Sequence, residues 1–143
     1  MTETAVTPYP EAPAEIAAAV LDRIEANQAA FNMYYWAHLP ESRQLDPDAE
    51  PACGTTLCAA GWVAHLTGWT LVHLPEDQDE EVIGRDADGR EYSSYTNVFA
   101  EKGDHRRFIG DVARDALRLA DTETFWDAPA EKALSRLRAI AGR

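Results

Sequence analysis

Apolar residues recur at intervals of three and four from Ile16 through Ala17, Val20 and Leu21 to Ile24, the spacing of one helical face. Pro13 suits the first turn of that helix, where no N–H is needed, and Asn27 is placed as its stop. Phe31, Met33, Tyr34, Tyr35 and Trp36 form a short aromatic cluster expected to lie across a core. Residues 40–51 carry no period and predict a loop. From Cys53 to Trp69 the pattern changes, because nearly every position is apolar or small. A helix that is apolar on all sides belongs inside a domain, so this segment predicts a buried central helix stopped at Gly68. Gly61 inside it costs about 1 kcal/mol relative to alanine, which implies that another backbone approaches there.

Short β-branched stretches come next. Thr70 to Leu74 predicts a strand, and residues 76–81 an acidic loop. Val82-Ile83 and Glu91–Tyr95 predict a hairpin around an Asp-Gly turn. From Asp104, a candidate cap, the helical period returns through Phe108, Ile109, Val112, Ala113, Ala116, Leu117 and Ala120. A short turn carries Phe125 and Trp126, and Ala130, Ala133, Leu134, Leu137, Ile140 and Ala141 predict a closing helix. The expected fold is α+β and mostly α, with four to five helices around a buried central helix and a small antiparallel β-hairpin or sheet. Residues 1–12, with their prolines, read as a flexible N-terminal arm, and 13–143 as a single globular domain.

Charge narrows the function classes. The chain of 143 residues has a net charge of −12, which opposes direct nucleic-acid binding and docking on an anionic membrane. No apolar run approaches the ~18 residues of a membrane span, and the first residues lack the basic start and apolar stretch of a secretory signal. The expected location is the cytoplasm. Half of the net charge falls between Glu76 and Glu91, where eight acidic residues face two basic ones. Glu76, Asp77, Asp79, Glu80, Glu81, Asp86 and Asp88 are therefore candidate partner-binding residues. A dense negative surface steers toward basic partners, although it also serves plain solubility.

Cys53 and His65 are the candidate catalytic residues. A thiol just ahead of a helix whose first turn is Gly-Thr-Thr has its anion favoured by free N–H groups and the helix dipole. No local catalytic signature accompanies it, and the competing reading is a packed residue with Thr55 or Thr56 capping the helix. Cys53, Cys58, His65 and His73 form only a weak zinc spacing. On one helix Cys58 and His65 would stand about 10.5 Å apart along the axis, too far to share an ion. Asp86, Asp88 and Glu91 suggest a calcium loop, but the position of its bidentate glutamate is held by Asn97. No metal and no cofactor is expected. The stripe of Trp62, His65, Leu66 and Trp69 reads first as core around a hydrogen-bonded histidine, and second as a pocket of stacking rings.

Phe31-Asn32-Met33 followed by Trp36, and Cys53-Gly54-Thr55-Thr56-Leu57-Cys58-Ala59-Ala60-Gly61-Trp62, resemble a group of small accessory proteins of phages and actinobacterial genomes. The resemblance runs from about residue 20 over most of the chain. Its closing part is Ala113 to Leu119 and then Phe125-Trp126, which stands in place of Leu-Phe; Val63 stands in place of Ala. Cys53, Gly54, Thr55, Cys58, Gly61 and Trp62 are the motif residues, expected to be structural. The resemblance implies a mobile-element origin and carries no established activity. Three functions follow as expectations: a non-enzymatic accessory protein that binds a host protein through the acidic β region or an exposed aromatic patch; a cysteine-dependent enzyme or small-molecule binder centred on Cys53; and a minor virion or assembly component.

Overall fold

The computed structural model describes residues 9–40, 44–51, 54–85 and 90–143. Helix α1, Pro13–Ala26, opens with Pro13 at its first position and with the Ala12 N–H donating to Glu15 Oε1 at 3.4 Å. Ile16, Ala17, Val20, Leu21 and Ile24 are buried, and the helix ends at Asn27. The chain then makes a 3-10 turn at Gln28–Ala30 and the strand β1, Ala37–His38. Strands β2, Gln44–Leu45, and β3, Thr56–Leu57, lead to helix α2, Ala59–Leu66. Beyond it come β4, Thr70–His73, then β5, Glu80–Arg85, β6, Glu91–Thr96, β7, Val98–Lys102, and β8, His105–Phe108. Helices α3, Ile109–Ala116, and α4, Ala130–Ala141, close the chain, with a 3-10 turn at Asp121–Glu123 between them.

The strands form three antiparallel sheets: β1 with β3, a four-stranded sheet in the order β2-β4-β7-β8, and the ribbon of β5 with β6. This overturns the mostly helical expectation with one small hairpin. Two of the differences lie in the larger sheet. Residues 40–51 are not all loop, because Leu45 pairs with Leu71 at the edge of the larger sheet. Residues 98–108 form a hairpin where Asp104 was expected to cap a helix and Phe108 to lie in it. Gly103 takes φ +60° at its tip while Asp104 stays out of the left-handed region, the arrangement of a type II′ turn. Helix α3 therefore starts only at Ile109.

Helix α1 packs along α4 and touches α2, while α2 lies on α3. The sheet adds Leu71, Val98 and Ala100 to the same core. From Ala59 to His65 every side chain of α2 is buried. Phe31, Met33 and Trp36 pack against this core, but Tyr34 is 92% exposed and Tyr35 is exposed beside it, so the aromatic cluster lies only partly across it. Of the expected arm, residues 1–8 lie outside the described residues. Its last part is seated: the Tyr9 hydroxyl donates to Asp48 Oδ1 at 2.8 Å.

Candidate functional site

The motif segment folds differently from the single helix that its composition predicts. Cys53 lies outside the described residues, and so do Asp86 and Asp88. Gly54 follows at φ +89°, a left-handed conformation that suits glycine, and Thr55 is buried. Thr56 and Leu57 are strand rather than helix, because they pair with His38 and Ala37. The helix begins five residues later than a Gly-Thr-Thr first turn requires, and the residue at its N-cap is Cys58. Its Sγ accepts the Gly61 N–H at 3.5 Å. Neither Thr55 nor Thr56 caps the helix, and the dipole argument made for Cys53 does not apply to this helix start.

Cys58 carries a free, fully buried thiol. Burial pushes its pKa up to about 11, against the smaller opposing effect of the backbone N–H groups around it. A thiol protonated so far above neutral pH is a packing and capping group. Gly61 performs the role that its place in the helix implies: a Cβ there would collide with the carbonyl oxygen of Trp36. Trp62 is buried against His65, their ring centroids 5.8 Å apart and near edge-on, and the Arg23 guanidinium lies 5.5 Å from the Trp62 ring centre.

His65 is core, as its apolar neighbours predict, but not the hydrogen-bonded histidine expected there. Neither ring nitrogen has a partner among the described residues. The Ala49 carbonyl, which favours the protonated ring, lies near it outside hydrogen-bond geometry. Burial lowers its pKa, the charge on Arg23 lowers it further, and Glu50 and Asp48 oppose the shift. Arg23 is itself paired to Glu50 at 2.8 Å. His65 is thus neutral at neutral pH and shut off from solvent, and it does not serve as a base for an exposed reaction. Among the described residues no three His, Cys, Asp or Glu side chains converge as a metal site. No helix there is long and apolar enough to cross a membrane.

The acidic segment has a more definite geometry. A 3-10 turn at Glu76–Gln78 leads into β5, and the strand begins at Glu80, inside the segment that was expected to be loop. Glu80 pairs with Thr96, Glu81 with Tyr95, Val82 with Ser94 and Ile83 with Ser93. Paired residues put their side chains on the same face of a ribbon, so two faces alternate. Thr96 is buried and Val82 half-buried, which turns their face toward the body of the protein. The other face carries Glu81, Ile83, Ser93 and Tyr95, all exposed. Ile83 is 59% exposed and Tyr95 69% exposed. They are diagonal neighbours across the two strands, at roughly 7–8 Å. Asp77 and Asp79, just ahead of the ribbon, are exposed, and so is Glu80 at its end, on the face of Thr96.

Sequence reasoning singled out the acids and missed the two apolar residues among them. The signal was available in the strand register, since a hairpin pairing residue 81 with 95 places 83 and 95 on one face. No third strand joins this ribbon among the described residues. No protein family, no curated protein and no solved structure matches the chain.

Proposed function

We propose that the protein is a non-enzymatic accessory protein that binds a basic host protein through the outer face of the β5–β6 ribbon. The observation that carries this reading is the exposed pair Ile83 and Tyr95 on one face with Glu81, close in sequence to the exposed Asp77, Asp79 and Glu80. A large aliphatic and an aromatic side chain left in water together are the usual anchors of an interface. The surrounding carboxylates contribute encounter rate and selectivity, drawing in basic surfaces and repelling nucleic acid and anionic lipid. Two of the residues singled out for chemistry are packed instead: the Cys58 thiol is buried with its pKa pushed up, and His65 lies in the core.

The motif resemblance to phage and actinobacterial accessory proteins supports a host protein as the partner and the host cytoplasm as the place of action. Affinity capture from an actinobacterial lysate tests it with three chains. These are the wild type, Ile83→Ser with Tyr95→Ser, and a form with Asp77, Asp79, Glu80 and Glu81 changed to the corresponding amides. The expected result is one basic partner, lost with the apolar double variant and captured more slowly and with weaker salt dependence by the amide form. Equal capture by all three chains, or recovery of the protein in purified virions as its main location, overturns the reading.

A further inference from the structure

Residues 9–11 lie across the protein surface and cover a groove without filling it. Two clefts share Tyr9 and Pro10 as a common wall. One, of about 420 Å3, is lined further by Asp22, Arg23, Asp48 and Leu66. The other, of about 340 Å3, is lined by Glu11, Ile16, Trp69, Lys102, Arg107 and Val112. The Tyr9 ring rests on Gly68, where a Cβ would come within 3.1 Å of it, and its hydroxyl reaches Asp48. Gly68 stands at φ +96° just past the end of α2, so the bare backbone under the ring is fixed by the helix terminus.

We infer that this groove is a peptide-recognition site that the chain's own Tyr9-Pro10-Glu11 occupies, and that it fits an extended partner peptide with the same aromatic–proline–acidic pattern. Each subsite has a chemical counterpart in the seated segment. The bare Gly68 backbone takes the flat face of an aromatic ring, and Asp48 takes its hydroxyl. Proline suits the wall between the clefts because it has no N–H to satisfy and is already extended. Lys102 and Arg107 stand in the cleft that Glu11 also lines, over an apolar floor of Ile16, Trp69 and Val112. Lys102 Nζ donates to the Thr67 carbonyl at 3.2 Å and lies 4.9 Å from the Trp69 ring centre. Arg107 Nη2 donates to Asp115 at 2.7 Å. An ammonium has three donors and a guanidinium five, so both keep capacity for a further carboxylate.

The segment is open to competition because Tyr9 is only half-buried and its hydrogen bond to Asp48 faces solvent. A partner peptide competes with a tethered ligand, and removing the tethered tyrosine raises the apparent affinity for the peptide by the inverse of the fraction of time the groove stands open in the wild type. The surface is separate from the β5–β6 ribbon, so this inference stands or falls without the proposed function.

The test uses the full-length chain and a fluorescent peptide of its own residues 5–13, AVTPYPEAP, followed by anisotropy. The variant Tyr9→Ser is expected to bind it at least tenfold more tightly than the wild type. Tyr→Ser or Glu→Lys in the peptide, or Lys102→Glu added to Tyr9→Ser, is expected to remove that gain. An independent reading comes from NMR: the Gly68 signals, shifted by the Tyr9 ring in the wild type, move in Tyr9→Ser and return when peptide is added. No binding to Tyr9→Ser, equal binding of a scrambled peptide, or Gly68 signals that do not return overturns the inference. So does a wild-type dimer that dissociates in Tyr9→Ser, which assigns the groove to a second copy of the chain.

Discussion

The carbonyl oxygen of Trp36 occupies the place where a side chain on Gly61 would begin. Leu57 Cβ stands 3.3 Å from the same point, so backbone and side chain together press on the first turn of α2. This relationship explains how a buried helix of only eight residues sits so close to the aromatic segment before β1. It also ties together the two halves of the motif, Trp36 and the Cys58–Trp62 run.

Gly61→Ala follows directly. In a free helix the change stabilises by about 1 kcal/mol through backbone entropy. Here the new methyl meets a backbone carbonyl that cannot rotate away, and overpacking of this kind costs about 1–3 kcal/mol or more. The sign therefore reverses, and urea denaturation is expected to show a lower midpoint for Gly61→Ala than for the wild type. A raised midpoint means that the 31–36 segment is free to move off the helix.

The second expectation concerns Cys58. Its thiol is buried, caps the Gly61 N–H and has its pKa pushed up to about 11. Iodoacetamide at pH 8 is expected to leave Cys58 unmodified in the folded protein and to alkylate it fully in denaturant, read by peptide mass mapping. Rapid alkylation of Cys58 in the folded state contradicts its burial. Because the mapping resolves the two cysteines separately, it also reports the reactivity of Cys53.

Asp115 and Asp111 make an internal comparison on α3. Hydrogen bonds from Arg107 and Arg114 hold the Asp115 carboxyl below its usual range, while burial raises that of Asp111 despite the neighbouring arginines. A depressed carboxylate stabilises the fold above its unfolded pKa, and that contribution fades as pH falls through the folded value. Asp115→Asn is therefore expected to cost up to about 1 kcal/mol at pH 7, the range of exposed ion pairs. The loss shrinks at low pH and in high salt. Asp111→Asn is expected to be neutral or stabilising. Thermal melts of both variants at pH 7 and pH 3, with and without salt, check the pair.

The helical faces of α1 and α4 were legible because Ile16–Ile24 and Ala133–Leu137 bury one side and leave the other wet. The spacing alone carries that information. The four-stranded sheet was not legible, for a physical reason. Its strands are short, their core contribution is Leu45, Leu71, Val98 and Ala100, and charged residues of β7 and β8 fill the solvent side. Phe108 and Ile109 fit a helical period as well as a strand end, and only the Gly103-Asp104 turn separates the two readings. The start of α2 was missed because Thr56-Leu57 is as apolar as the helix that follows. What ends the strand and begins the helix is pairing with Ala37 and His38, which no local pattern records. At the candidate interface the charge was visible, whereas Ile83 and Tyr95 needed the register.

The last expectation rests on His65. Its ring is buried with both nitrogens unpartnered among the described residues, near the paired Arg23 and under the opposing influence of Glu50 and Asp48. The pKa is lowered, chiefly by burial. In the folded protein the ring therefore holds its proton less well than in the unfolded chain. Stability is expected to be complete above the unfolded value near 6.5 and to fall as pH drops below it toward the folded value. His65→Leu removes this linkage and also removes two buried, unpaired polar atoms, each of which costs about 1–3 kcal/mol when left unsatisfied. At pH 7.5 the variant is expected to match or exceed the wild type in urea, within the ~1.5 kcal/mol that a near-isosteric core exchange costs. Between pH 7.5 and pH 5 the wild type loses stability relative to His65→Leu. Parallel pH profiles for the two chains would show instead that the imidazole finds a partner for its proton inside the fold.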